Sequence, residues 1–180
     1  MSQLSKIGNV IPTLHDRDHL CGLSDAPILL MEYGDYECPQ SGQCYFLIKQ
    51  LQAQLGDRVS FVFRHFPLTH LHPQAQKAAE TAEAAAAQNQ FWQMHELLCQ
   101  NSRALADADL VEYALQLNLD VPQFLQELST HIHRERVQLD VQSAQQHGVR
   151  ETPGFFISIR CQSDQDLEGL MQAILQATAK

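Results

Sequence analysis

Along this chain the spacing of apolar positions changes several times, and each change marks the start of a new element. The run Ile28-Leu29-Leu30-Met31-Glu32-Tyr33 is almost unbroken and stops at Gly34-Asp35, which predicts a strand covered on both faces. After Cys38-Pro39, the residues Cys44, Leu47, Ile48, Leu51 and Leu55 recur at i, i+3, i+4, i+7 and i+11. That spacing predicts one apolar helical face, with Gly56 as the stop. Pro39 suits the first helical position, where its missing N–H would have no partner in any case, and Cys38 then falls at the N-cap. Val59 to Phe66 alternates and is rich in β-branched and aromatic residues, a second strand. Strand, helix and strand in that order predict a right-handed parallel crossover.

From Pro73 to about Gly148 the pattern is helical throughout. It runs through an alanine-rich segment, 75–87, then Phe91, Met94 and Leu98, then starts at Asp107 and at Asp120 before Val121-Pro122. A last stretch passes Ile132, Val137, Val141 and Ala144 before Gly148 stops it. The segment reads as an insertion of about four helices rather than a repeat. Gly154 to Ile159 returns to strand character, and Ser163 with Asp166 forms a capping-box pattern ahead of Leu167, Leu170, Met171, Ile174 and Leu175. A further strand and a closing helix are expected there.

With 180 residues and 44% hydrophobic content, the chain is sized for one well-filled core. Its net charge of -9 repels phosphate backbones and anionic bilayers, so neither nucleic acid nor membrane is an expected partner. The N-terminal stretch MSQLSKIGNVIPTL lacks an apolar run with a small-residue cleavage site, and the expected location is cytoplasmic. The five cysteines, Cys21, Cys38, Cys44, Cys99 and Cys161, are odd in number and widely spaced, as suits a reducing compartment.

Cys38 is the candidate nucleophile, because free N–H groups and the helix dipole at a helix start favour a thiolate. Four segments carry a wider resemblance: Glu32-Tyr33-Gly34-Asp35-Tyr36-Glu37-Cys38-Pro39, Phe63-Arg64-His65-Phe66-Pro67-Leu68-Thr69, Phe91-Trp92-Gln93-Met94-His95 and Thr152-Pro153-Gly154-Phe155-Phe156-Ile157. In order and spacing, from about residue 19 to about residue 176, the chain resembles the DsbA-like thioredoxin family of thiol-disulfide oxidoreductases. The resemblance implies an α/β thioredoxin fold, with core about 26–72 and 149–178 and a helical insertion, about 73–148, between the second core strand and a cis-proline loop.

The family's Cys-Pro-X-Cys corresponds here to Cys38-Pro39-Gln40-Ser41, so the resolving cysteine is replaced by Ser41. A dithiol enzyme uses the second thiol to close an internal disulfide and release product, a step Ser41 cannot perform. Ser41 is either a hydroxyl donor to a Cys38 thiolate or a routine polar residue of the first helical turn. Cys44 lies six positions beyond Cys38, about 9 Å of rise and roughly 240° of rotation away, outside disulfide reach. Cys44 is expected in the core. Cys161 is expected roughly 20 Å or more from the site if its strand runs away from it. Cys21 and Cys99 are taken as bystanders.

The resemblance makes Thr152-Pro153 the cis-proline loop beside the thiol, and places Pro39, Gln40 and Thr152 where substrate binds. Glu32 is either a buried proton-transfer acid or a carboxylate turned to a polar edge. Gly154 is expected to loosen the loop, Arg64 and His65 to serve strand packing and surface pairing, and Phe91 and Trp92 to pack helices. The nine histidines, including His15 and His19 near Cys21 and His70 and His72 near Pro73, lack the paired spacing of a zinc site. No metal is expected.

Two functional readings follow. In one, Cys38 forms mixed disulfides with protein or small-molecule thiols, resolved by an external thiol such as glutathione as co-substrate, with no other cofactor. In the other, the domain has lost turnover and binds a peptide, thiol ligand or partner protein beside Pro153. Dithiol oxidation through a distant flexible cysteine is a third, geometrically disfavoured, possibility.

Overall fold

A computed structural model of the chain describes residues 11–160. In chain order its elements are β1 (His19–Cys21), β2 (Ile28–Gly34), α1 (Pro39–Leu55), β3 (Val59–His65), α2 (Ala75–Ala86), α3 (Phe91–Gln100), α4 (Asp107–Gln116), α5 (Val121–Thr130), α6 (Arg134–Gln146) and β4 (Gly154–Ile159). The strands form one mixed sheet in the order β1-β3-β2-β4. β2 and β3 pair in parallel from Ile28–Val59 to Gly34–His65, as the crossover reading requires. β1 runs antiparallel to β3, and β4 antiparallel to β2.

Every residue of β2 is buried, so its near-continuous apolar run has its expected cause, helices on both faces; β3 is just as fully buried although its sequence alternates, because it too is a central strand. Alternation then sorts β2. Ile28 and Leu30 join the core that includes Tyr45, Ile48, Phe61, Phe63, Met94 and Leu98, beneath α1 and α3. Leu29, Met31 and Tyr33 join Val62, Phe66, Ala144 and Phe156 on the α6 side. Glu32, with the parity of Ile28 and Leu30, is thereby sent into the α1 and α3 side.

Several expectations needed correction. β1 has three residues, too few to show an alternation, and its half-buried His19 and Cys21 gave no apolar signal. The insertion between β3 and β4 contains five helices, α2 to α6, rather than about four. Short connections, such as 131–133 before α6, left adjacent helical patterns hard to separate in sequence. Leu47 is 63% exposed, whereas Ser41, Gly42 and Tyr45 are buried with Ile48 and Leu55. α3 explains the shift: a Cβ on Gly42 would lie 3.3 Å from the carbonyl oxygen of Cys99, so the helices touch along this line.

Local rules held better. Gly56 ends α1 with φ of 55°. Asp120 caps α5, its Oδ1 accepting from the N–H of Gln123 at 3.0 Å. Ala106 occupies the N-cap of α4, and Asp109 rather than Asp107 accepts from the Ala106 N–H, at 2.9 Å. Cys161, Ser163, Asp166 and the expected closing helix lie outside the described residues.

Candidate active site around Cys38

Pro39 is the first residue of α1 and Cys38 its N-cap, in extended conformation with φ of -75° and ψ of 119°. The Cys38 carbonyl accepts the first helical bond, from Gly42 N–H at 3.2 Å. The sulfur ends up buried, 3% of the residue being exposed. Its thiol faces two acceptors: the side-chain oxygen of Gln40 at 3.2 Å and the backbone carbonyl of Thr152 at 3.4 Å. The Thr152-Pro153 peptide bond is cis, and the Cys38–Thr152 contact brings the loop before β4 against the start of α1. Cys38, Gln40, Thr152 and Pro153 are thus brought together from opposite ends of the chain.

The direction of these bonds matters. Both partners are oxygen acceptors, which suits an S–H group; a thiolate would meet two carbonyl dipoles the wrong way round. For the thiolate to form with favourable contacts, the Gln40 amide must turn so that its NH2 donates. Ser41, buried in the first turn, makes no hydrogen bond to Cys38; its hydroxyl oxygen accepts from the N–H of Asp35 at 3.3 Å, which ties the preceding turn to the helix.

Asp35, which no motif singles out, organises that turn. Its buried carboxylate accepts from Glu37 N–H at 2.8 Å, Leu68 N–H at 2.9 Å and the His72 imidazole at 2.8 Å. Glu37 adds a bond from Gln74 N–H at 2.6 Å. The residues leading into Cys38 are therefore pinned to the segment after β3. One short polar residue gives no sign in sequence of three partners scattered from position 37 to position 72.

On β2, Glu32 is 2% exposed and its Oε1 has no hydrogen-bond partner. Burial pushes its carboxyl up to about 8, so the acid is largely protonated near neutrality. The alternative in which it turned to a polar edge is excluded by its place on a central, fully covered strand. Gly34 is required beside it, since a Cβ there would collide with the Phe63 ring and come within 2.9 Å of Glu32 Oε1.

The remaining thiols divide clearly. Cys44 is half-buried against the main core, and burial pushes its thiol up to about 11. Cys99 is buried in α3, its sulfur 3.7 Å from His95 Nε2, with its thiol also pushed up by burial. Cys21 lines a separate cavity of about 260 Å³ with Tyr45, Ile48, Phe61 and Trp92. The described cysteines, 21, 38, 44 and 99, are all free.

Gly154 sits in tight packing at the start of β4. A Cβ there would come within 2.8 Å of Val149 Cγ1, so glycine lets two segments close on one another. Arg64 and His65 pair in the interior rather than at the surface. Arg64 reaches Asp18 through Nε at 2.8 Å and Nη2 at 2.6 Å, both side chains being buried. His65 Nε2 lies 2.8 Å from Glu83 Oε1, and His19 Nε2 2.9 Å from the same oxygen. These histidines are far apart in sequence, which is why their convergence had no spacing signal.

The family model described as Thioredoxin matches residues 15–176, and the chain belongs to that family. Among solved structures it is similar to a thioredoxin-like oxidoreductase from Silicibacter pomeroyi, with a TM-score of 0.72 and 20% identity over 92% of this chain and 95% of that one. It is similar to oxidised BdbD of Bacillus subtilis at a TM-score of 0.70 and 19% identity, over 91% of this chain and 94% of that one. The fold is thus the DsbA-like thioredoxin fold.

Curated relatives carry a different kind of name. The chain is 40% identical over 171 residues to "Na(+)/H(+) antiporter NhaA 3" of Salinispora tropica, covering 94% of this chain and 26% of that protein. It is 38% identical over 143 residues to an antiporter NhaA of Herminiimonas arsenicoxydans, covering 79% and 22%. The chain spans about a quarter of the length of these relatives. Among the described residues no helix is long and apolar enough to cross a membrane.

Proposed function

We propose that this chain is a monothiol-type thiol-disulfide oxidoreductase in which Cys38 carries the chemistry. The observation that carries the reading is the meeting of the Cys38 sulfur, at the start of α1, with the Thr152 carbonyl of the cis-proline loop. A thiol at a helix start and the backbone of the cis-proline loop thereby lie together, the two features that a disulfide-bearing chain would need for docking and attack. Ser41 replaces the second thiol of the motif, so resolution falls to an external thiol.

The cycle balances in two exchanges. The Cys38 thiolate attacks a protein–glutathione mixed disulfide; the Cys38–glutathione S–S bond forms, the original S–S bond breaks, and the protein leaves as a thiolate. A second glutathione thiolate then attacks the Cys38 adduct, giving oxidised glutathione and restoring Cys38. In this cycle Glu32 would exchange the proton beneath α1, and Pro39 and Gln40 with Thr152 would line the docking edge. The expected setting is a reducing, cytoplasmic one.

The test is turnover of a glutathionylated peptide with glutathione by the purified chain against a Cys38→Ala variant. A rate no greater than that of the variant sinks the monothiol reading. In that event Ser41→Cys shows whether the rest of the site remains competent, through gain of dithiol activity.

The capped, buried thiol favours a second reading, a module without turnover that binds a peptide, thiol ligand or partner beside Pro153. Since the relatives that contain such a region are named as antiporters, a membrane transport protein is one such partner to test. Binding that survives Cys38→Ser supports this second reading, and binding lost with it supports the first.

A further inference from the structure

We propose that His19, His65 and Glu83 form a divalent-cation site of the zinc type that clamps β1 to β3 and α2. His19 lies on β1, His65 is the last residue of β3, and Glu83 lies on α2. His19 Nε2 and His65 Nε2 approach Glu83 Oε1 at 2.9 and 2.8 Å, and all three atoms lie within 4.8 Å of one another. Two imidazole nitrogens and a carboxylate oxygen are a donor set that zinc accepts in sites keeping a fourth position open.

The geometry is close to what a metal needs. Ligand bonds of about 2.0–2.2 Å in a tetrahedral arrangement put donor atoms about 3.3–3.5 Å apart. The two His–Glu distances therefore have to open by only about half an ångström. The donors are also held in place. His65 and Glu83 are buried, and His19 stacks on Phe91 with ring centroids 3.4 Å apart and planes 8° apart. The His19 side chain retains 17% exposure, which leaves a way in from solvent.

One neighbour opposes the cation. Arg136 Nε stands 3.7 Å from Glu83 Oε1. That guanidinium also pairs with Asp140 Oδ1 through Nη1 at 2.7 Å and donates from Nη2 to the Arg17 carbonyl at 3.0 Å, but its buried Nε has no hydrogen-bond partner and faces Glu83, so a metal has to compete with it for the carboxylate. Binding would take the place of the His19–Glu83 and His65–Glu83 contacts, and would fasten a three-residue edge strand to the helical layer.

The test is titration of the full chain with zinc by calorimetry, paralleled by cobalt absorption, with far-UV circular dichroism to check each variant. One equivalent should bind, without a sulfur-to-cobalt charge-transfer band. His19→Gln should weaken binding at least tenfold, and Arg136→Gln should tighten it. Zinc should raise the melting temperature of the parent chain but not of His19→Gln. For the parent chain, ¹⁵N imidazole spectra should show Nε2 signals of two histidines moving with zinc, a readout that survives if a variant does not fold. Absence of one-equivalent binding, unchanged affinity in His19→Gln, unmoved Nε2 signals or a sulfur-to-cobalt band would each overturn the proposal.

Discussion

The Cys38 sulfur donates to the Thr152 carbonyl oxygen at 3.4 Å, across 114 positions of sequence, and shares its second contact with Gln40 of its own helix. The thiol is therefore held by acceptors at both ends of the chain. That arrangement makes Gln40 the accessible control, because it is exposed and its contact to Cys38 is a side-chain one.

Gln40→Ala removes one acceptor from the thiol and uncovers the sulfur. Alkylation of Cys38, followed by mass spectrometry of the modified peptide, should accelerate about five-fold, the factor equivalent to roughly 1 kcal/mol for one hydrogen bond. An unchanged or slower rate would show that the amide stabilises the reacting form instead.

Glu32 makes stability fall with rising pH. Its carboxyl sits at about 8 when folded against an ordinary 4.5, so between those values the folded chain keeps a proton that the unfolded chain has released. Stability from this group is full below about pH 4.5 and is lost as pH rises through 8. The loss is roughly 3–5 kcal/mol before relaxation. Urea unfolding of Glu32→Gln across this window should lack that fall. A parallel pH profile in parent and variant is the contrary result.

Gly154→Ala should cost about 1–3 kcal/mol, the range for forcing a methyl into packed space. The obstacle is Val149 Cγ1, 2.8 Å from the added carbon. Combining it with Val149→Ala should recover much of the loss beyond the sum of the single changes. Simple additivity would point to some other cause.

Asp18→Ala leaves the Arg64 guanidinium buried without its carboxylate, and should destabilise the fold by about 3–5 kcal/mol. Burial opposes ionisation of Asp18, yet the Arg64 bonds outweigh it and hold the carboxyl below its usual 3.8. The pair's contribution is thus present above pH 3.8 and is lost as pH falls through the lower folded value. Denaturant midpoints at neutral and acid pH check both statements; a variant as stable as the parent at neutral pH contradicts them.

Local periodicity and end chemistry, both legible in the sequence alone, determined the elements around the site. The nearly unbroken apolar run of 28–33 pointed to a central strand, the alternating β-branched and aromatic residues of 59–66 to a second one, and Pro39 with Gly56 bounded the intervening helix. Cys38 at the N-cap followed from those bounds, and Ser41 three positions further on was read directly from the sequence. Such signals act over one or two helical turns, where each residue's own backbone preference and its near neighbours dominate.

What only the tertiary structure decided concerns contacts between distant residues. Ser41 meets the Asp35 amide rather than Cys38, because the turn at 35–38 folds back on the helix. Leu47 faces outward because α3 approaches α1 along the Gly42 and Tyr45 line. Glu32 is orphaned, Arg64 is neutralised by Asp18, and His19 and His65 share Glu83, through positions separated by tens of residues. Polar side chains carry no periodic signal of which partner they will meet; sheet register and helix packing fix those pairs, and burial then sets the cost of leaving any of them unpaired.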